Sequence, residues 1–171
     1  MGLSLIGPRG SGKSTVGKKL AWMLRLEYVS IDAEIERAAG KPIARIVQDE
    51  GWVGFRLAEE AALARAARVD GRLLDTGGGI VEVPGNRALL RRYGRVVRLA
   101  ASMGTLLART ESSSDRPPLT AHDDPADEMA EIVARREPLY GETADLTVSN
   151  DGKTVQEVCE EIVTWVRALS A

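Results

Sequence analysis

The chain has 171 residues, of which 44% are hydrophobic and 28% charged, and these proportions are ordinary for a single globular domain. Its formal net charge of −2 gives no reason to expect nucleic acid as a partner, and no apolar run approaches membrane-spanning length. The single cysteine, Cys159, excludes a disulfide framework, and the absence of a signal-peptide pattern leads us to expect a cytoplasmic protein.

Predicted strands and helices alternate along the chain. The apolar run at 3–6 predicts a first strand, and apolar residues at helical spacing predict a helix at 13–26. Further strands are predicted at 28–31, 72–76, 95–100 and 145–150, and further helices at 33–40, 42–51, 55–69, 86–94, 127–138 and 154–169. This alternation favours one α/β domain whose parallel sheet is covered by helices on both faces.

Two other features complete this prediction. Residues 111–125 combine Ser, Asp and Pro and predict a mobile loop. Trp22, Cys159 and Trp165 fall in amphipathic helices, where we expect them to pack in the core.

The segment GPRGSGKS at residues 7–14 fits the phosphate-binding pattern G-x-x-x-x-G-K-S/T. Its glycines allow backbone N–H groups to surround phosphate oxygens, and the helix that follows adds a favourable dipole. Lys13 is predicted to reach the β- and γ-phosphates of ATP, and the Ser14 hydroxyl to bind Mg²⁺. A glycine-rich turn with an unrelated lysine is the alternative, but the place between strand and helix favours phosphate binding. The predicted ATP-binding residues here are Gly10, Ser11, Gly12, Lys13, Ser14 and Thr15.

Several segments together resemble the shikimate kinases, which are small P-loop kinases of the nucleoside-monophosphate-kinase type. They are GPRGSGKST, the acids after the second strand, FRLAEE, TGGG, RPPL and RREPLY. The resemblance covers nearly the whole chain, in order. It implies phosphorylation of the 3-hydroxyl of shikimate by MgATP on a five-stranded parallel sheet, in a single domain over 1–171. It further implies a lid at about 111–125 and a helical substrate-binding region at about 32–60, and we expect a monomer.

The resemblance assigns a substrate-carboxylate site. In the family, the arginine that matches Arg56 binds the carboxylate. Glu59, three residues later on the same helix face, would then orient the guanidinium group of Arg56. Arg136 matches the second carboxylate ligand, whereas its neighbour Arg135 is expected to point elsewhere. The glycines of TGGG line the shikimate pocket; they are Gly77, Gly78 and Gly79. The alternative for Arg56 and Glu59 is a surface ion pair. For Arg136 it is a solvated basic helix end, and for TGGG it is a plain tight turn.

Two further arginines are assigned to the nucleotide side. Arg116 matches a lid arginine that closes over the transferring phosphate, where a cation neutralises developing charge. Arg109 matches an arginine that packs on adenine. In each case the alternative is an ordinary exposed arginine. Asp75, just before TGGG, is a candidate acid near Mg²⁺, although the family does not reliably have an acid there.

Shikimate kinases usually carry Asp-x-Asp directly after the second strand, and the corresponding triplet is interpreted here as Asp32, Ala33 and Glu34. Asp32 then contacts Mg²⁺ directly or through water. Glu34 takes the place of the second Asp, which binds substrate hydroxyls and is the candidate general base. A Glu carries its carboxylate about 1.5 Å further from the backbone. The alternative is the acidic first turn of a surface helix.

Two other functions stay open at this point. Glu34, together with Trp52 at a position where the family commonly has Glu, is compatible with a divergent kinase of another small hydroxy acid. A non-catalytic nucleotide-binding module that senses ligands or contacts a partner protein is the second. The presence of both arginines and the lid favours catalysis.

Overall fold

The computed structural model describes residues 2–110 and 124–169. It contains one sheet of five parallel strands, in the order β2-β3-β1-β4-β5. The strands are β1 (Gly2–Ile6), β2 (Glu27–Ser30), β3 (Arg72–Asp75), β4 (Gly94–Ala100) and β5 (Leu146–Ser149). The predicted α/β domain with a five-stranded parallel sheet is confirmed.

The described helices lie close to the predicted positions. They are α1 (Lys13–Leu24), α2 (Ile31–Ala39), α3 (Ile43–Ala66), α4 (Pro84–Tyr93), α5 (Met103–Thr110), α6 (Pro125–Thr143) and α7 (Val155–Ala168). α3 is broken at Gly51, whose φ of 70° lies in the left-handed region, so the helices predicted at 42–51 and 55–69 are its two halves. α5 and a short 3₁₀ turn at Ile80–Glu82 were not predicted.

Helices cover both faces of the sheet because successive strand residues point to opposite sides. Leu73 packs in the apolar layer formed with α1 and α7, and Leu74 packs in the layer formed with α2, α3, α4 and α6. Cys159 is buried in the first layer and Trp165 packs against it, as predicted. The same prediction is wrong for Trp22, which is 80% exposed because α1 turns a different face towards the sheet.

The sheet positions the candidate site. In an open parallel sheet, ligands bind beyond the carboxyl ends of the strands. The phosphate loop follows β1, the acids follow β2 and TGGG follows β3, so all three segments meet at one edge. No helix in the described part of the chain is long and apolar enough to cross a membrane. Apart from its last two residues, the predicted lid lies outside the described residues.

Candidate active site

A cavity of about 380 Å³ lies at the carboxyl ends of β1, β2 and β3. Three segments and one residue of α5 form its walls. The lining residues are Arg9, Gly10, Gly12, Lys13, Ser14, Thr15, Ser30, Asp32, Asp75, Thr76, Gly77, Gly78 and Arg109. The cavity therefore joins the predicted nucleotide residues to the start of the predicted substrate residues.

The phosphate loop has the backbone that an anion site needs. Gly10 and Gly12 have φ values of 81° and 83°, which glycine adopts without strain. α1 begins after Gly12 without a side-chain cap, so its first N–H groups are available to a bound anion. Lys13 Nζ donates to the carbonyl oxygens of Gly7 and Pro8, each at 2.9 Å. These bonds hold the ammonium at the loop.

Two segments support this loop from the side. Arg109 Nη1 of α5 donates to the carbonyl of Gly10 at 3.2 Å. The buried amide of Asn150, at the end of β5, donates to the carbonyl of Ser11. Asn150 was missed by the sequence prediction, because its contact spans 139 residues of chain. Arg109 thus lines the cavity beside the phosphate loop, whereas Arg116 lies outside the described residues.

Asp75 lies against the loop serine. Its Oδ2 accepts a hydrogen bond from Ser14 Oγ at 2.7 Å and another from the hydroxyl of Tyr28 at 2.6 Å. Burial, and then the Asp75 carboxylate, raise the pKa of Tyr28 well above its usual range, so the phenol stays a neutral donor. Asp75 is only 4% exposed, and its carboxylate faces the residue that is predicted to bind Mg²⁺.

The structure corrects the predicted placement of Glu34. α2 begins at Ile31, so Asp32 and Glu34 are two helical positions apart and project roughly 200° from each other. Asp32 lines the cavity, whereas Glu34 points away and forms an ion pair with Arg37. This hydrogen bond with Arg37 lowers the pKa of Glu34. The two cavity-lining positions at the carboxyl end of β2 are therefore Ser30 and Asp32, not Asp32 and Glu34.

The two arginines predicted to bind a carboxylate converge on one. Arg56 Nη2 lies 2.8 Å from Oε2 of Glu82, and Arg136 Nε lies 3.1 Å from Oε1 of the same side chain. Glu59, fully buried, binds the other side of Arg56 at 2.7 Å. Arg136 is only 5% exposed although it carries a charge. The two guanidinium groups are thus close enough to share a single carboxylate.

Glu82 was missed by the sequence prediction. It lies in the 3₁₀ turn, 26 residues from Arg56 and 54 from Arg136, and no local pattern connects them. Arg135, which was expected to point elsewhere, also binds Glu82, at 2.8 Å. Burial raises the pKa of Glu82, but Arg136, Arg56 and Arg135 together outweigh that effect, so it lies below its usual value. Glu82 is therefore an ionised carboxylate between the two arginines.

The TGGG turn packs directly against Arg56, Arg136 and Asp32. A side chain at position 79 would collide with the guanidinium of Arg56, and a Cβ at position 78 would lie 3.6 Å from Nη1 of Arg136. A Cβ at position 77 would lie 3.1 Å from Oδ1 of Asp32. Glycines here allow both arginines and Asp32 to approach the same backbone.

Trp52 lies beside Arg56 and is not among the residues that line the described cavity. Its ring packs edge-on against Phe55 with centroids 5.6 Å apart, and Cζ of Arg56 is 6.0 Å from the Trp52 ring. The aromatic ring therefore contributes to the surroundings of Arg56 from the α3 side.

Comparison with known proteins decides the family. The family model described as Shikimate kinase matches residues 9–167. The chain belongs to the shikimate kinase family. This family member is 42% identical to a shikimate kinase of Pseudomonas aeruginosa over 167 residues, which cover 98% of this chain and 96% of that protein. It is 44% identical to a shikimate kinase of Thioalkalivibrio sulfidiphilus over 163 residues, covering 95% and 85% of the two chains.

A solved relative matches this shikimate kinase family member in three dimensions. A shikimate kinase from Acinetobacter baumannii, in complex with shikimate, superposes with a TM-score of 0.93 at 34% identity. The superposition covers 98% of this chain and 93% of that one. The resemblance predicted from the sequence is thus confirmed, and the chain is an ATP-dependent kinase of this family.

Proposed function

We propose that this chain transfers the γ-phosphoryl group of ATP to the 3-hydroxyl of shikimate, giving shikimate 3-phosphate and ADP. The observation that carries the proposal is the convergence of Arg56 and Arg136 on one carboxylate position beside the TGGG turn. Through Gly77 and Gly78, that turn also lines the cavity that the phosphate loop lines. A small acid held by its carboxylate would then present its hydroxyls to the phosphate.

The arginine pair supplies the grip on the substrate. Shikimate has a carboxylate at one end of its ring and hydroxyls at the other. Two planar guanidinium groups can bind one carboxylate through several charge-assisted hydrogen bonds, which fixes its orientation as well as its position. Glu59 holds Arg56 in place from a buried position. Gly77, Gly78 and Gly79 allow Asp32, Arg136 and Arg56 to lie against the turn, where these side chains would surround the substrate.

Asp32 supplies the acceptor for the attacking hydroxyl. It lies next to Gly77 and lines the same cavity as the phosphate loop. The hydroxyl must lose its proton as it attacks phosphorus, and a carboxylate within hydrogen-bond reach can align it and accept that proton. Glu34 has no part in this step because it points away from the cavity.

The phosphate loop and α5 hold the nucleotide. Lys13 and the backbone of residues 10–15 would bind the phosphates, and Arg109 would border the adenine. Arg116, in the predicted lid, would close over the transferring group. The hydroxyl of Ser14 is an oxygen donor of the kind that Mg²⁺ prefers, whereas Asp32 serves the attacking hydroxyl rather than the metal. When bound, Mg²⁺ neutralises charge on the β- and γ-phosphates.

We also propose that the enzyme acts as a monomer in the cytoplasm. The arginine pair, Asp32 and the phosphate loop all come from one chain, so the described contacts need no second copy. ATP as the phosphoryl donor is compatible with a cytoplasmic location.

The proposal is tested by measuring ADP release from MgATP with shikimate, quinate or gluconate as acceptor. We expect release that depends on shikimate and is much weaker with the other two acids. Release with another acid but not with shikimate would favour a divergent kinase. Nucleotide binding without ADP release in any mixture would favour the non-catalytic module.

Replacing Glu82 by Gln is expected to lower the shikimate KM by about fivefold, the equivalent of roughly 1 kcal/mol for a partly solvated charge contact. The change removes an internal carboxylate that competes with the substrate for Arg56 and Arg136, while kcat stays the same. Steady-state kinetics at saturating ATP measure both values. Glu131→Gln, an exposed acid near Arg135, is the control. A higher KM in Glu82→Gln would mean that Glu82 positions the arginines instead.

A further inference from the structure

The end of β2 lacks one of the two acids that the family pattern has there. In the family pattern, Asp-x-Asp follows the second strand and its first acid contacts Mg²⁺. Here the cavity-lining positions with that spacing are Ser30 and Asp32. Position 30, the last residue of β2, thus carries a hydroxyl where the pattern has a carboxylate.

A carboxylate is present on the next strand at the same level. Ser30 of β2 and Asp75 of β3 are direct partners in the parallel register. Neighbouring strands lie about 4.8 Å apart, and partners in register project to the same face of the sheet. Both residues line the cavity. An acid at 75 can therefore serve nearly the same space as an acid at 30.

The contacts of Asp75 fit a metal-site role. Its Oδ2 accepts the proton of Ser14 at 2.7 Å, and Ser14 is the loop hydroxyl that P-loop enzymes use on Mg²⁺. A serine that binds a cation through its oxygen still has its proton to donate, so this bond is compatible with metal binding. The hydroxyl of Tyr28 is the second donor to the same oxygen, at 2.6 Å, and it helps to fix the orientation of the carboxylate. A buried acid held by two donors is well oriented for this role.

We infer that Asp75 provides the metal-binding carboxylate of this chain, directly or through water, in place of the acid that is absent at Ser30. The metal-binding acid is thus at the end of β3 rather than of β2, and Asp32 binds the substrate hydroxyl instead of the metal. This inference rests on the proposed function only in that a MgATP-dependent reaction needs such a site. Its experiment does not use shikimate.

The test measures Mn²⁺ affinity in the ADP complex by electron paramagnetic resonance, and ADP affinity without metal by calorimetry. Asp75→Asn is expected to weaken Mn²⁺ binding by about 10- to 100-fold, as loss of a metal-orienting carboxylate does. Metal-free ADP affinity should change less than about twofold, because the phosphate loop is intact. Asp70→Asn, an exposed acid before β3, is the matched control and should bind Mn²⁺ as the wild type does.

Moving the acid back tests the exchange itself. The double variant Ser30→Asp/Asp75→Ser is expected to recover Mn²⁺ affinity to within about threefold of the wild type, whereas Asp75→Ser alone is not. Unchanged Mn²⁺ affinity in Asp75→Asn would overturn the inference, as would a double variant no better than Asp75→Ser. Shikimate turnover with unchanged metal affinity in Asp75→Asn would sink this inference alone. Weakened metal binding in a chain that does not phosphorylate shikimate would sink the proposed function alone.

Discussion

Replacing Asp32 by Asn is expected to lower kcat for shikimate phosphorylation by about 10²- to 10⁴-fold, the usual contribution of a positioned general base. Asn keeps the size of the side chain and can still accept a hydrogen bond from the hydroxyl, but it cannot take the proton. The shikimate KM should therefore change much less than kcat. Steady-state ADP release at varied shikimate separates the two parameters.

Glu34→Gln is the matched variant for this prediction. Glu34 lies two residues further along α2 and binds Arg37 outside the cavity, so kcat and both KM values should stay within about twofold of the wild type. If Glu34→Gln lost as much activity as Asp32→Asn, the assignment of the acids from the sequence would be right and the placement by α2 would be wrong.

Replacing Arg136 by Met is the second large effect, with an expected loss of about 10²-fold or more in kcat/KM for shikimate. Met fills similar space without charge. Truncating one member of a buried, hydrogen-bonded charge pair costs about 2–5 kcal/mol, and Arg136 is only 5% exposed. Arg136→Lys should recover only part of the loss, because an ammonium cannot bind a carboxylate through two parallel bonds. The KM for ATP should change little.

Arg135→Met is the control for that experiment. Arg135 also binds Glu82, but half of its side chain is exposed, whereas Arg136 is buried against the TGGG turn. We expect its shikimate KM to stay within about threefold of the wild type. Thermal unfolding of each variant shows whether the fold is retained. Equal losses in Arg135→Met and Arg136→Met would assign the effect to net charge near Glu82 rather than to a specific carboxylate ligand.

Most of the fold could be predicted from the sequence because its signals are local. Short apolar runs, such as that of β1, mark strands buried on both faces, and helical spacing marks α7. The spacing of glycines, lysine and serine in the phosphate loop is specific to phosphate-binding loops. Trp22 shows where this reasoning fails. Helical periodicity identifies one apolar face, but it does not tell whether a large residue at the margin of that face is buried or exposed.

The site was predicted less completely, for two physical reasons. The orientation of Asp32 and Glu34 depends on the residue at which α2 begins, and a shift of one or two residues there changes which acid faces the cavity. Glu82 and Asn150 act through contacts that span tens of residues or more, which no local pattern encodes. Arg56, Arg136 and TGGG were found because the family resemblance names them, not because of their spacing.

The most direct test of the central claim is the identity of the reaction product. Two-dimensional proton–phosphorus NMR on a mixture of the enzyme, MgATP and shikimate shows which ring proton couples to the transferred phosphorus. We predict one new phosphoester, coupled to the proton on the carbon of the 3-hydroxyl and formed in equal amount with ADP. A phosphoester at another carbon, or ADP formed without any phosphoester of shikimate, would contradict the account.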